Sequence, residues 1–255
     1  MRGPCARLFL PGYNPHLSNR IRMCATLATV VLLFGMVMKR CGPKWSGCAD
    51  WGGRIFAWFL ERSGRRHDSL LTDHKRRLFI DLAGTVLEIG PGTGANLPFY
   101  PKDIRWIGIE PNPHMHEYLR KRAAALGIPV DLRRGIAEQI DIAPESVDTV
   151  ISTLVLCSVD DLPGVLAEIH RVLKPGGRFL FLEHVAAPHG TWLRRLQRWV
   201  KPAWRILAGG CRPDRDIESA LRGAGFVRVD IDRFRIPSPV ISPHVAGAAV
   251  KADRA

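Results

Sequence analysis

Acidic groups are scarce in this 255-residue chain, with 24 Asp and Glu against 37 Lys and Arg and a formal charge of +13. That balance favours anionic partners such as a membrane surface and says nothing about fold. Nucleic acid is not an expected partner, because no recognised RNA-binding module accompanies the charge. Paired metal-ligand spacing is absent from the six cysteines, Cys5, Cys24, Cys41, Cys48, Cys157 and Cys211, so no metal site is expected. A chain long enough to bury a sizeable core has no need of disulfides, so the thiols are expected to be reduced and the protein cytoplasmic. Internal repeats and low-complexity tracts are lacking, and no signal bears on oligomeric state.

A long apolar run is missing too. The charge-free stretch from Met23 to Met38 has sixteen residues, flanked by Arg20 and Arg22 before and Lys39 and Arg40 after. A straight membrane crossing needs roughly 20 apolar residues, so the run reads as an interfacial or hairpin anchor as readily as a span. No small-residue cleavage site follows it, which argues against a secretory leader. A start at Met23, Met36 or Met38 is the competing account of the same stretch. Residues 1–69 are therefore read as a basic, partly hydrophobic extension and 70–255 as the folded domain.

Within the extension, Trp45, Trp51, Phe56, Trp58 and Phe59 alternate with Arg54, Arg62, Arg65 and Arg66, a pattern of amphipathic helices. From Asp68 to Leu82, the residues Leu71, Lys75, Leu78, Phe79 and Leu82 share a helical face, with Lys75 at its edge. That helix is expected beside the first strand. From Thr85 onward, apolar strand runs alternate with helical segments, the pattern of a doubly wound α/β fold with a mostly parallel sheet. Seven strands are expected: Thr85 to Ile89, Arg105 to Glu110, Val130 to Arg134, Val147 to Ser152, Arg178 to His184, Phe226 to Asp232 and His244 to Lys251. A helix after Asp161 buries Leu162, Val165, Leu166, Ile169, Val172 and Leu173, and Lys174-Pro175-Gly176-Gly177 stops it. A second amphipathic helix, Trp192 to Arg205, is expected to be interrupted at Pro202.

The first strand ends in Glu88-Ile89-Gly90-Pro91-Gly92-Thr93-Gly94. Three glycines give a turn without side chains, so the backbone can approach a ligand at the start of the next helix. Glu110 lies twenty residues beyond Gly90, at the end of the second strand, where a carboxylate can accept both hydroxyls of a ribose. A nicotinamide cofactor would suit the same spacing, since Gly90, Gly92 and Ala95 satisfy the looser dinucleotide fingerprint. Two features weigh against an NAD-dependent oxidoreductase. Glu88 would repel a pyrophosphate while suiting a cationic ligand, and no second catalytic unit follows.

From Thr85 to Lys251 the chain resembles a class I S-adenosylmethionine-dependent methyltransferase. Its later motifs are similar to those of the membrane-associated alkyl-thiol S-methyltransferases: Ile151-Ser152-Thr153-Leu154-Val155-Leu156-Cys157-Ser158-Val159, Leu173-Lys174-Pro175-Gly176-Gly177 and Glu183-His184-Val185-Ala186. So are Gly190-Thr191-Trp192, Pro202-Ala203-Trp204, Gly210-Cys211 and Pro243-His244-Val245-Ala246-Gly247. Pro91 departs from the family, which usually has cysteine there. The resemblance implies S-adenosyl-L-methionine as cofactor. It implies that Glu88, Gly90, Gly92, Gly94 and Asn96 line the methionine end, that Glu110 holds the ribose, and that Pro111 and Asn112 meet the adenine edge. Ala137 and Glu138 would reach the adenine amine, and Thr153 and Leu154 would cover the cofactor where it faces the acceptor.

Methyl transfer from a sulfonium is an in-line displacement, so positioning and desolvation can supply most of the acceleration. His184, at the carboxyl end of the fifth strand, is the candidate catalytic base; a hydrogen-bonded structural histidine is the plain alternative. Cys157 is a further acceptor-side residue or a small buried hydrophobe, and His189 and His244 rank below both. The acceptor implied is a small lipophilic thiol, with N- or C-methylation of a phospholipid amine or quinone-like lipid as the alternative. The basic, aromatic Trp192 to Arg205 helix reads as a membrane-surface lid or as an ordinary lid with solvated arginines.

Overall fold

The computed structural model describes residues 46–254. The apolar run Met23 to Met38 lies outside the described residues, as do Cys5, Cys24 and Cys41. Helix α1 (Ser46–Leu78) is one continuous 33-residue element, and the division expected at 69/70 falls inside it. Among the described residues no helix is long and apolar enough to cross a membrane.

The strands are β1 (Thr85–Ile89), β2 (Arg105–Ile109), β3 (Asp131–Arg133), β4 (Val147–Thr153), β5 (Leu173–His184), β6 (Arg228–Arg235) and β7 (Pro243–Val250). They form one sheet in the order β3-β2-β1-β4-β5-β7-β6. β1 to β5 are parallel, and β7 runs antiparallel between β5 and β6. A reversed strand slotted between the fifth and sixth is the class I methyltransferase arrangement and departs from the all-parallel dinucleotide-binding order. Strands buried on both faces read as near-continuous apolar runs, as in β1. The edge strand β6 carries Arg228, Asp230, Asp232 and Arg233 and stays largely exposed, which discourages pairing with other chains.

Helices cover both faces. Because side chains alternate along a strand, Val150 and Phe179 face one core with α3 (Leu162–Val172) and α5 (Ile217–Arg222), while Ile151 and Leu180 face the other. The second core takes Phe79 and Leu82 from the turn after α1 and Leu119 and Ala123 from α2 (Pro113–Leu126). α3 starts where the Asp161 carboxylate accepts the Gly164 N–H at 3.1 Å, a cap worth about 1 kcal/mol. Its buried Leu162, Val165, Leu166, Ile169 and Val172 contribute about 1.5–3 kcal/mol each on area arguments, an upper bound.

Four expectations change. No α-helix follows the glycine turn: a three-residue 3₁₀ turn, Leu97–Phe99, stands there instead. Pro101 cannot continue a helix and holds Tyr100 extended (φ −89°, ψ 139°). Lys174 to Gly177 does not precede β5 but loops out within it, between the Val147–Leu173 and Thr149–Arg178 pairs. Pro202 does not interrupt its helix, α4 (Trp192–Leu207). The carbonyl that loses a donor belongs to exposed Arg198, where water can replace it. Lys75 is not at a helix edge but 0% exposed. Its ammonium reaches Asp68 at 3.0 Å and lies 5.7 Å from the centre of the Phe99 ring, which offsets the cost of burying the charge.

Candidate functional site

Every residue expected at the site lies at or just beyond the carboxyl ends of β1 to β5, the edge where open α/β sheets bind ligands. The glycine turn after β1 separates into two kinds of position. A Cβ on Gly90 would stand 2.6 Å from Val155 Cγ2, and one on Gly94 2.9 Å from Leu97 Cδ1, so the protein's own packing demands both glycines. Gly92 is different. Its φ of +56° suits glycine, yet an added Cβ would meet only Leu60 and Met115, at 3.5 and 3.6 Å. Packing within the protein would therefore tolerate a Cβ at Gly92, so the chain's own side chains do not require glycine there.

Glu88 and Glu110 frame this turn. Glu88 is buried, accepting from Asn96 Nδ2 at 2.8 Å on one oxygen and from Trp106 Nε1 at 3.0 Å on the other. The indole reaches it by lying across Gly108, where any Cβ would clash with the ring. Burial raises the Glu88 pKa, and the donated hydrogen bonds work against that rise. Glu88 therefore reaches the site through Asn96, whose amide is oriented by donating to Glu88 and to Thr153 Oγ1 at 3.0 Å. Asn96 Oδ1 is left buried with no hydrogen-bond partner. Glu110 accepts the Gly92 N–H at 3.0 Å and the Asn112 N–H at 2.8 Å, one on each oxygen, so each keeps capacity for a hydroxyl donor. Burial raises its pKa, with the Asn112 and Gly92 N–H groups opposing.

Asn112 caps α2, accepting the His114 N–H at 3.1 Å while its amide donates to Gly53 O at 3.0 Å. Exposed Pro111 links it to Glu110. Ala137 is buried after β3, and Glu138 accepts the Asp160 N–H at 2.9 Å. Leu154 turns the chain sharply at the end of β4 with φ +59°, unusual for a leucine, and donates its N–H to Leu182 O at 2.9 Å. Helix α1 roofs this region through Gly53 on Asn112, Leu60 beside Gly92 and a bidentate Arg122–Glu61 pair at 2.9 Å.

These residues fit S-adenosylmethionine. The unpartnered Asn96 Oδ1 suits an ammonium, the Glu110 carboxylate suits ribose hydroxyls, and Gly92, with no side chain, leaves its backbone free of steric cover from its own residue. When bound, the cofactor supplies an electrophilic methyl on a sulfonium.

A second group of buried polar side chains lies at the ends of β4 and β5, where the sequence places the acceptor. Glu183 accepts from Ser152 Oγ at 2.6 Å and from the Val155 and Leu156 N–H groups at 3.0 and 3.1 Å, all on one oxygen, fixing the turn after β4. His184 is buried, its Nε2 2.9 Å from Cys211 Sγ, and its Nδ1 has no partner. Burial opposes a charged His184 ring, but the Cys157 sulfur and the Glu183 carboxylate outweigh it and raise its pKa. The neighbouring Cys157 thiol lowers the Cys211 pKa, burial opposes this, and the Trp204 indole N–H at 3.2 Å assists it. The neighbouring Cys211 sulfur, together with burial, pushes the Cys157 thiol well up. Two buried ring nitrogens nearby, His67 Nε2 and His244 Nε2, also lack partners. His189 lines a surface pocket with Arg194, Arg195 and Arg198, and a second one that also reaches Val185 and His244.

Sequence reasoning missed Trp106, His67, the burial of Lys75 and the assembly around Cys211. The Trp106–Gly108 pairing on one strand face was the available signal for the first. Cys211 lies 27 residues from His184, a separation that no local motif marks.

Comparison with known proteins bears on this geometry. Residues 87–181 match the methyltransferase domain family. The chain is 37% identical over 218 residues to the human thiol S-methyltransferase TMT1A, covering 80% of this chain and 87% of the relative. It is 36% identical over 219 residues to human TMT1B, with the same coverage. Among solved structures, a Thermotoga maritima S-adenosylmethionine-dependent methyltransferase superposes with a TM-score of 0.59 at 24% identity, over 78% of this chain and 99% of that one, a likeness of fold. The order of strands, the cofactor cradle and the relatives agree, and with them the nicotinamide alternative falls away: the chain belongs to the thiol S-methyltransferase family of class I S-adenosylmethionine-dependent methyltransferases.

Proposed function

We propose that the acceptor is a small lipophilic thiol, methylated on sulfur at the carboxyl ends of β4 and β5. The observation that carries this reading is the buried His184–Cys211 contact of 2.9 Å on the acceptor side, supported by the thiol S-methyltransferase relatives. A free thiol with a pKa near 8.5 must lose a proton, at a cost of about 2 kcal/mol at pH 7. A polarised imidazole and thiol pair offsets a cost of that size.

In this reading Gly90, Gly92, Gly94 and Asn96 hold the methionine end, with Glu88 setting the Asn96 amide. Glu110 holds the ribose, Pro111, Asn112, Ala137 and Glu138 border the adenine, and Thr153 and Leu154 close the cofactor off from the acceptor. His184 takes part in handling the acceptor's proton. The setting proposed is an anionic membrane surface: Trp192 and Trp199 on α4 are 70% and 81% exposed among Arg194, Arg195 and Arg198, and Trp51, Trp58 and Phe59 on α1 are exposed as well. Amphipathic basic helices with outward aromatics suit such a surface.

Product analysis tests the acceptor. The full chain is incubated with methyl-labelled S-adenosylmethionine and a panel of lipophilic thiols, phospholipid amines and quinols. Label is expected in methyl thioethers. Label in a phospholipid or quinol product, with none in any thioether, moves the assignment to the lipid alternative.

A further inference from the structure

Three buried side chains from separate elements converge on the acceptor side: Cys157 from the turn after β4, His184 from the end of β5 and Cys211 from the loop after α4. Cys157 Sγ, Cys211 Sγ and an imidazole nitrogen of His184 all lie within 4.8 Å of one another. The loops that bring them together are held firmly. Arg212 N–H donates to Cys157 O at 2.9 Å, and the Arg215 guanidinium donates to Leu156 O and Val159 O at 2.8 and 2.6 Å. Gly210, with φ +92°, lets its loop approach Ser158, where a Cβ would sit 3.3 Å from the carbonyl. Trp204 Nε1 donates to Cys211 Sγ, an outer-shell contact of the kind that stabilises a ligating thiolate.

We propose that Cys157, His184 and Cys211 form a three-ligand zinc site whose fourth position takes the acceptor thiol. Two thiolates and an imidazole are zinc's preferred donors, and three protein ligands leave the open position of a catalytic rather than a structural site. The present 2.9 Å contact between His184 and Cys211 is a hydrogen bond that holds a proton where the ion would be. Bonds of about 2.0 Å to nitrogen and 2.3 Å to sulfur, set tetrahedrally, spread that pair to roughly 3.5 Å, a change within reach of side-chain rotation. His184 then ligates through Nε2, and its Nδ1 carries the ring proton.

The chemistry is balanced without an oxidant. Zinc displaces the protons of Cys157 and Cys211; the acceptor thiol binds and releases its own proton to solvent, so His184 acts on that proton through the ion it holds and not as a free base. The resulting thiolate forms a carbon–sulfur bond to the methyl as the sulfonium–carbon bond breaks, and the methyl thioether leaves the metal as a weaker ligand. A thiol with a pKa near 8.5 is only roughly 3% ionised at pH 7, whereas a thiol on zinc is deprotonated outright. The metal site rests on the side-chain cluster alone; only the identity of its fourth ligand rests on the thiol reading.

The test uses the full chain, stripped with a chelator and reloaded with zinc or cobalt. About one metal per chain is expected, and the cobalt form should show a thiolate-to-cobalt charge-transfer band with tetrahedral d–d bands. Adding hexanethiol should shift those bands. Cys211→Ser and Cys157→Ser should each lower the zinc content at least about tenfold while S-adenosylmethionine affinity stays within about twofold, which shows that the variants are folded. Stripped protein that keeps full thiol methylation, or a cobalt form without the charge-transfer band, overturns the zinc site and leaves the thiol reading standing. A metal-loaded, cofactor-binding protein that methylates amines or quinols but no thiol overturns the thiol reading, with the cobalt spectrum still reporting on the site.

Discussion

The two halves of the sheet's carboxyl edge are built in different ways. On the cofactor side, β1 and β2 supply two buried carboxylates whose oxygens accept from main-chain N–H groups, an amide and an indole, and the residues concerned lie close together in sequence. On the acceptor side, β4, β5 and the loop after α4 bring sulfur and imidazole groups together over tens of residues, and three buried histidine nitrogens have no partner. The first half leaves Asn96 Oδ1 and the Tyr100 hydroxyl without partners, and the second adds Glu183 Oε2 to its three ring nitrogens. The second has donors and acceptors still to satisfy. A buried polar group without a partner is costly, so these atoms mark where a ligand can still add hydrogen bonds.

If the halves are separable, substitutions should divide into binding and turnover defects. The largest effect is expected on the acceptor side: His184→Ala should lower turnover of a lipophilic thiol about 10²-fold, the scale of a lost proton-handling group. S-adenosylmethionine affinity, followed by calorimetry, should not change. Next comes Gly92→Val. A branched side chain at φ +56° strains the turn and presses on Leu60 and Met115, so cofactor binding should fall at least about tenfold, equivalent to about 1.4 kcal/mol. Gly90→Ala sharpens the contrast. Its Cβ meets Val155 at 2.6 Å, so it should cost about 1–3 kcal/mol of stability in a denaturant melt, from overpacking.

Vesicle binding should show a smaller, salt-sensitive effect. A chain starting at Met38 should associate weakly with anionic vesicles through α1 and α4 and release at high salt, as screened surface charges do. The full chain should resist the same wash. Both forms staying in the supernatant at low salt would remove the membrane setting. The smallest effect is expected for Arg122→Gln, which breaks the partly exposed pair with Glu61. Its loss should lower stability by less than about 1 kcal/mol, and a larger loss would make the α1 roof part of the core.

The same division explains what the sequence revealed. Strand positions were legible to within a few residues because β1, β2 and β4 are apolar runs between clear turns. The Glu88-to-Gly94 turn and Glu110 were legible because their spacing is local. The distinct duties of the three glycines were not, since Val155 and Leu97, which exclude side chains at Gly90 and Gly94, are identified only by packing. Lys75 appeared to belong at a helix edge because its helical position says nothing of Asp68 and Phe99. The cysteines seemed unrelated because spacing rules detect ligands on one hairpin or helix. Cys157, His184 and Cys211 come from three elements joined by tertiary contacts such as Arg215 to Leu156 and Val159.

The separation of the two halves is tested most directly by titrating S-adenosylmethionine into Glu110→Ala and Cys211→Ser, each with wild-type circular dichroism. Glu110→Ala should lose about 1.5–3 kcal/mol of cofactor binding, the range for hydrogen bonds to a charged group. Cys211→Ser should bind within about twofold of wild type. Unchanged affinity in Glu110→Ala, or an equal loss in both variants, would contradict the account.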